Sequence, residues 1–562
     1  MSLKYLRPLL LGGCSALIVI AQRALWQSSL FSEYSLSTKV FCGVIFLTSI
    51  VAFLIHYYFH SSVQKGIIEF ISQIFLHSKK DLFAFHWIKQ SFLTFCYALI
   101  GKVGPEGLAM EVTQAGALLS RTPHAHWSET QRRLDTAVII SASLSAAFGA
   151  PLAAVVFTIE LGMGAPVLPV LLASVCASAL TYSFGMVPIV SWPTMHLSYD
   201  PKLWGSLLFV SIAVALSSLV VLRLIQTAQK SFYDVFQDQE WVYLLVGGLL
   251  LLSVTFAVPL NASTFELGLQ NLFIDSQSAI GISITSIAYL LIIVLLVSAF
   301  RFTGIIWPLL TMGCLLGSVF DFYTRGAPGI GVLLGGVIML SCVLGTPMAA
   351  IFLGLEMTGQ WSAFPLCAAS VVIAFSIRKL FRVDSLLFSQ MKAFNIEVQG
   401  GRLKSVLDEV KVKEAMITDF EIVREDEELH DLKLALKKSA YPFLVVVNTR
   451  GFYVGLLSFR QIIIADRELN KVRQKNERVT ALEKKFVEAR DLLFVAKESV
   501  PTVKMNQSIA EVDGLFSGHP VISVLDLDQK IVGLLLMHEV RIAYNRAIER
   551  KVYFKQKEED WV

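Results

Sequence analysis

GAPLAAVVFTIEL (Gly149–Leu161) and GTPMAAIFLGLEM (Gly345–Met357) are two versions of one segment, and the topology follows from them. Gly149/Gly345, Pro151/Pro347, Ala153/Ala349, Ala154/Ala350 and Glu160/Glu356 are identical pairs at one constant offset of 196 residues. Upstream of each copy lies a shorter element, GKVGP (Gly101–Pro105) and GIIWP (Gly304–Pro308), with Gly and Pro four apart. Gly and Pro together interrupt a helix. Two halves interrupted at matching places point to a binding site between the halves of a transport protein.

The surrounding composition says where these halves sit. Of 562 residues, 55% are hydrophobic and 16% charged, against about a quarter charged in a soluble chain; the mean hydropathy is +0.62. The bias is uneven. Pro8 to Phe381 is a succession of apolar blocks, while the chain after Val398 is rich in Lys, Glu, Asp and Arg. A lipid-bilayer part followed by a water-soluble part is the direct reading. Val40–His56, Leu203–Leu222, Trp241–Val258 and Ile280–Phe300 are long enough to span about 30 Å of hydrocarbon. Phe92–Val103, Val138–Met163, Gly304–Val319 and Gly329–Met357 are short or broken. At membrane depth, broken segments line a polar cavity or lie buried in protein. MSLKYLRPLL reads as the start of the first membrane helix, with Lys4 and Arg7 on the cytoplasmic side.

Several function classes drop out. A formal charge of +4 makes no case for nucleic acid. The seven cysteines lie in the apolar part without a CxxC pair, so they indicate neither a disulfide framework nor a metal site. HExxH, GxSxG and paired intramembrane aspartates are all missing, which argues against an enzyme.

What remains is anion chemistry. A helix that begins inside the membrane leaves its first N–H groups free and turns the positive end of its dipole toward the cavity. Glycine lets the backbone come close to an ion, and Pro near the first turn gives up an N–H that had no partner. Two such starts, one from each half, hold an anion with partial charges, weakly enough to release it again. The candidate anion-binding residues are Gly101, Lys102, Val103, Gly104 and Pro105 in the first half and Gly304, Ile305 and Ile306 in the second.

In this order and spacing the elements resemble the CLC family of chloride channels and proton-coupled chloride antiporters. GKVGP is similar to its GREGP element, GIIWP to its GxFxP element and GAPLAAVVFTIE to the adjacent helix. The resemblance implies an α-helical polytopic membrane protein with an inverted repeat and broken helices. It further implies a homodimer, multi-pass in the cell (inner) membrane, with cytoplasmic CBS domains. The family's GSGIP element is poorly matched by HSSVQ (His60–Gln64), where Ser61 or Ser62 is either a chloride-coordinating hydroxyl or an ordinary loop serine. The family's other chloride hydroxyl, a tyrosine opening the last membrane helix, falls on Leu387 or Phe388.

Departures from the family pattern bear on mechanism. The glutamate of GREGP is the family's gate and outer proton station, and Val103 stands in its place. An inner glutamate follows FxxxE in the antiporters, and Leu161 stands there. Neither residue carries a titratable proton. The expectation is therefore passive, uncoupled conduction of chloride or a similar small anion. Glu106 is either a first-turn carboxylate favoured by the helix dipole or a relocated gate. Glu160 and Glu356 are expected to satisfy buried backbone N–H groups. Two alternatives stand beside this reading: an antiporter with displaced carboxylates, and a membrane sensor whose transport half is silent. Flux is limited either by Val103 narrowing the outer passage or by the cytosolic part.

The tail repeats as well. YPFLVVVNTRGFYVGLLSFRQI (Tyr441–Ile462) matches HPVISVLDLDQKIVGLLLMHEV (His519–Val540) at an offset of 78, framed by Pro442/Pro520 and Gly455/Gly533. Each unit reads as helix, β-rich run, turn, GLL and helix, which resembles the CBS unit. The domains are then 1–398 in the membrane, a linker 399–411, units at 412–470 and 498–550 joined by 471–497, and a tail 551–562. Paired CBS units often bind an adenine nucleotide, held by a hydroxyl and an acidic residue after GLL; a purely structural or dimer-stabilising role is the alternative. Ser458 is followed by Gln461, and Glu539 is preceded by Leu536, so each half-motif is incomplete; Ser458 and Glu539 are the candidate contacts. The membrane part requires no cofactor.

Overall fold

In the computed structural model, residues 3–27, 104–119, 129–185, 201–236, 279–295, 304–324, 329–393, 397–399, 402–404, 409–474, 488–496, 501–512, 519–526 and 528–543 are described, with isolated residues between them. The chain divides into two compact units, Met1–Thr122 with Gln131–Leu403 and Pro123–Thr130 with Lys404–Val562.

The described part of the first unit holds, beside the 3-10 helix Trp361–Ala363 and the strand Glu397–Gln399, twelve α-helices: α1 (Leu3–Gln27), α2 (Pro105–Leu119), α3 (Glu129–Phe148), α4 (Pro151–Glu160), α5 (Val167–Ser183), α6 (Pro201–Phe236), α7 (Ala279–Leu295), α8 (Ile306–Thr324), α9 (Ile330–Leu344), α10 (Pro347–Thr358), α11 (Phe364–Leu380) and α12 (Leu386–Ala393). Among the described residues, Leu6–Ala24, Trp204–Ser231 and Trp361–Leu380 are long and apolar enough to cross a membrane. The expected span Leu203–Leu222 falls inside α6, and Ile280–Phe300 overlaps α7. Val40–His56 lies outside the described residues, as do Phe92–Val103 and Trp241–Val258 apart from isolated positions.

Both repeat segments break at the same place. α3 ends at Phe148, Gly149 turns left-handed at φ +66°, and α4 begins on Pro151; α9 ends at Leu344, Gly345 turns at φ +85°, and α10 begins on Pro347. The physics is shared: a left-handed glycine closes one helix and a proline opens the next where no N–H is needed. α4 and α10 then clasp each other through their acidic ends. Glu160 accepts from the N–H groups of Met348 and Ala349, both at 2.9 Å, and Glu356 accepts from Leu152 at 3.0 Å and Ala153 at 2.8 Å. Each carboxylate caps the other helix's start, which is the backbone role expected of the pair.

α8 and α9 come together on glycine. A Cβ at Gly317 would collide with the carbonyl of Gly331, and one at Gly335 with the carbonyl of Gly313. This small-residue seam lets two helix backbones touch and holds α8 against α9.

In the second unit, β1 (Met416–Ile417), β2 (Ile422–Arg424), β3 (Phe443–Val447), β4 (Tyr453–Ser458), β5 (Thr502–Lys504), β6 (Val521–Leu525) and β7 (Ile531–Leu536) form two sheets. One has the order β2-β3-β4 and the other β1-β7-β6-β5. Both hairpins bulge at equivalent residues, between Val446 and Val447 and between Val524 and Leu525, so the repeat extends to an irregularity. β1 crosses over: Met416 pairs with Leu535 and Ile417 with Leu534. A buried cluster of Phe443, Val445, Val447, Leu456 and Leu534 joins the sheets, and Ser523 Oγ donates to Tyr453 Oη at 2.7 Å. Burial pushes the Tyr453 phenol above its usual range, partly offset by that hydrogen bond.

Candidate anion site

The starts of α2 and α8 meet. Gly104 N–H donates to the carbonyl of Gly304 at 3.1 Å, joining the two Gly-x-x-x-Pro elements directly. Gly104, Pro105, Gly304, Ile305 and Ile306 are all buried around this junction. Gly101, Lys102 and Val103 lie outside the described residues, as do Ser61 and Ser62. Phe388 is half-buried on α12, and the neighbouring Leu387 is fully buried.

Glu106 occupies the junction. It has no exposed surface, and its Oε1 accepts the backbone N–H of Trp307 in the first turn of α8 at 3.1 Å. The N–H groups of Ile306 and of Glu106 itself also face the carboxylate. A Cβ on Gly104 would collide with both carboxylate oxygens, so the group is folded back over that glycine. Oε2 has no hydrogen-bond partner among the described residues. The two carboxylate oxygens thus sit where two positive helix ends converge.

A second register of the sequence carries this residue. Gly104-Pro105-Glu106-Gly107 keeps the Gly-x-Glu-Gly order of GREGP, three residues after the register that selects Val103. The proline at the second position hides it, because GKVGP matches as a unit.

Two further features border the site. Leu161 is fully buried at the end of α4. Beside Ile306 lies a cavity of about 30 Å³ lined by residues of α3, α4, α9 and α10, among them Phe148, Phe157, Leu340 and Leu353, with Thr346 at the start of α10. Thr346 supplies a hydroxyl there, and among the described residues no titratable side chain lines the cavity.

In the soluble unit, Ser458 and Gln461 cap the helix Phe459–Gln474. Gln461 Oε1 accepts Ser458 N–H at 2.7 Å, and Ser458 Oγ accepts Gln461 N–H at 3.4 Å. Glu539 is half-buried at the equivalent turn after β7.

Residues 46–379 match the family described as voltage gated chloride channel. The chain belongs to that family. The voltage-gated ClC-type chloride channel ClcB of Salmonella typhimurium (strain LT2) is 25% identical over 304 residues, 51% of this chain and 70% of the relative. Among solved structures, a eukaryotic CLC transporter superposes over 96% of this chain and 99% of its own, with TM-score 0.56 and 16% identity. A slow cyanobacterial Cl−/H+ antiporter covers 69% of this chain and 97% of its own, with TM-score 0.57 and 16% identity. At these identities the two structures show the shared fold. Members of the family are membrane channels or transporters of anions, and the expected helical fold with an α/β C-terminal pair stands.

Proposed function

We propose that this chain conducts chloride or a similar small anion passively, with Glu106 as a tethered carboxylate that competes with the anion for the site between the starts of α2 and α8. The observation that carries the reading is the buried Glu106 carboxylate on the Trp307 amide at 3.1 Å. While ionised, it fills the anion's place; once protonated, it no longer competes for the two helix ends, and an anion enters. The missing gate assigned to Val103 is therefore supplied three residues later. Proton coupling would need a relay onward from Glu106. A leucine at 161 and an apolar cavity beside Ile306 support conduction without such a relay.

The test is efflux from liposomes with chloride, fluoride and nitrate, recording pH at the same time. We expect chloride to leave without proton movement against a gradient, faster in acid than in alkali. Glu106→Gln should raise the flux at neutral pH and flatten its pH dependence. Uphill proton pumping driven by chloride would replace this reading with coupled exchange, the second reading, which the same titratable carboxylate favours. Absence of any anion flux would leave the membrane-sensor reading.

The reading includes a homodimer, multi-pass in the inner membrane, with the soluble pair in the cytoplasm. Exposed apolar side chains on α4, α5, α10 and α11, such as Ile159, Leu168, Met348 and Val372, support a surface that lipid or a second copy covers. A monomeric mass by light scattering in detergent would remove the dimer. For the pair we propose an adenine-nucleotide site using Ser458 and Glu539. The long Gln461 contact to Ser458 Oγ leaves that hydroxyl able to donate to phosphate.

A further inference from the structure

Arg23 is a buried charge with no part in the site as described so far. It lies on α1, 3% exposed, within the apolar window Leu6–Ala24. It is one residue from the end of that window, and charged groups in membrane segments turn inward and serve ion pathways. Arg23 Nη2 donates to the carbonyl of Ala147, in the last turn of α3, where the helix dipole is negative.

From that turn a short chain of contacts leads to the anion site. Phe148 follows Ala147, and its ring centroid lies 5.4 Å from that of Trp307. Trp307 is itself 1% exposed, and its N–H holds Glu106 at 3.1 Å. The charge of Arg23 also reaches Glu106, more weakly than the amides of Trp307, Glu106 and Ile306 do. Other charged groups among the described residues lie near this path. Glu111, buried, lies on the same helix as Glu106, and α8 brings no acidic residue in its first turn. Tyr182 feels both Arg23 and Glu356.

We propose that Arg23 is the fixed counter-charge of the anion site. It balances the Glu106 carboxylate while that group fills the site, and it balances the permeant anion after the carboxylate leaves. One negative charge is therefore always exchanged for another beside a constant positive one. Arg23 touches neither the anion nor the carboxylate; it is a positioning residue that works through its field and through the end of α3. The inference rests on the reading of Glu106 as the competing group.

The experiment uses full-length protein in liposomes and two substitutions that separate charge from hydrogen bonding. Arg23→Lys keeps the charge; Arg23→Gln keeps a donor for Ala147 and loses the charge. In a Glu106→Gln background, the chloride concentration for half-maximal flux should rise about tenfold with Arg23→Gln and stay within about threefold with Arg23→Lys. With Glu106 present, Arg23→Gln should also move the flux–pH profile, and Arg23→Lys should restore it. Equal chloride affinity for the Lys and Gln variants would overturn the counter-charge, while the response to Glu106→Gln would still stand. A flux–pH profile untouched by Glu106→Gln would instead remove the gate reading beneath it. Should Arg23→Gln fail to fold, an Arg23→Lys variant with chloride affinity weakened tenfold or more would overturn the proposal alone.

Discussion

At the scale of single residues, carboxylates on backbone amides recur. Glu160, Glu356 and Glu106 each sit on the N–H groups at the start of another helix. For Glu160 and Glu356 both oxygens are used, so the contact is structural. Replacing either by alanine leaves two N–H groups without an acceptor and removes charged hydrogen bonds, at about 2 kcal/mol. Glu160→Ala and Glu356→Ala should lower thermal stability in detergent by similar amounts. A large loss at one position and none at the other would show that the clasp is not symmetric. These two were legible because the offset of 196 pairs them. Glu106 was legible as a first-turn carboxylate or a relocated gate after Pro105, but not by its contact; its partner Trp307 is 201 residues away, and no local pattern announces that pairing.

At the scale of elements, the position of α8 decides where Trp307 presents its amide, and the glycine seam holds α8 against α9. Gly317→Ala would press a methyl group into the backbone of α9, a change expected to cost about 1–3 kcal/mol. Gly116→Ala on α2 meets nothing within 4 Å and should be neutral or stabilising by about 0.5–1 kcal/mol. Denaturation in detergent, followed by circular dichroism, checks both; equal effects at the two glycines would discard the seam. The breaks at Gly149 and Gly345 could be read from the sequence, because Gly followed by Pro has one backbone meaning. Gly317 and Gly335 could not, since a glycine in an apolar run becomes a contact only when the partner helix is known.

At the scale of the whole molecule, composition alone separates membrane from water, because the change in charge density after Val398 follows from the solvent each part meets. The soluble pair was legible as a repeat, with β3 and β6 falling at the predicted offset. Its ligand chemistry is the harder matter. Titration of the full-length protein with ATP and AMP should show binding that Ser458→Ala and Glu539→Ala each weaken. Heat exchange absent for both nucleotides at millimolar concentration would make the pair structural. The crossover of β1 was not legible, since two residues carry no periodicity to assign them to a distant sheet.

That crossover has a consequence for synthesis. β1 leaves the ribosome well before its partner β7, the last strand of the pair. At about 5–20 residues per second, Met416 waits on the order of ten seconds for Leu535. During that interval β1 has no ladder to join. The four-stranded sheet closes only after β7 has been made, so a message truncated before Ile531 yields a chain whose second unit stays open, a state that quality-control proteases would find.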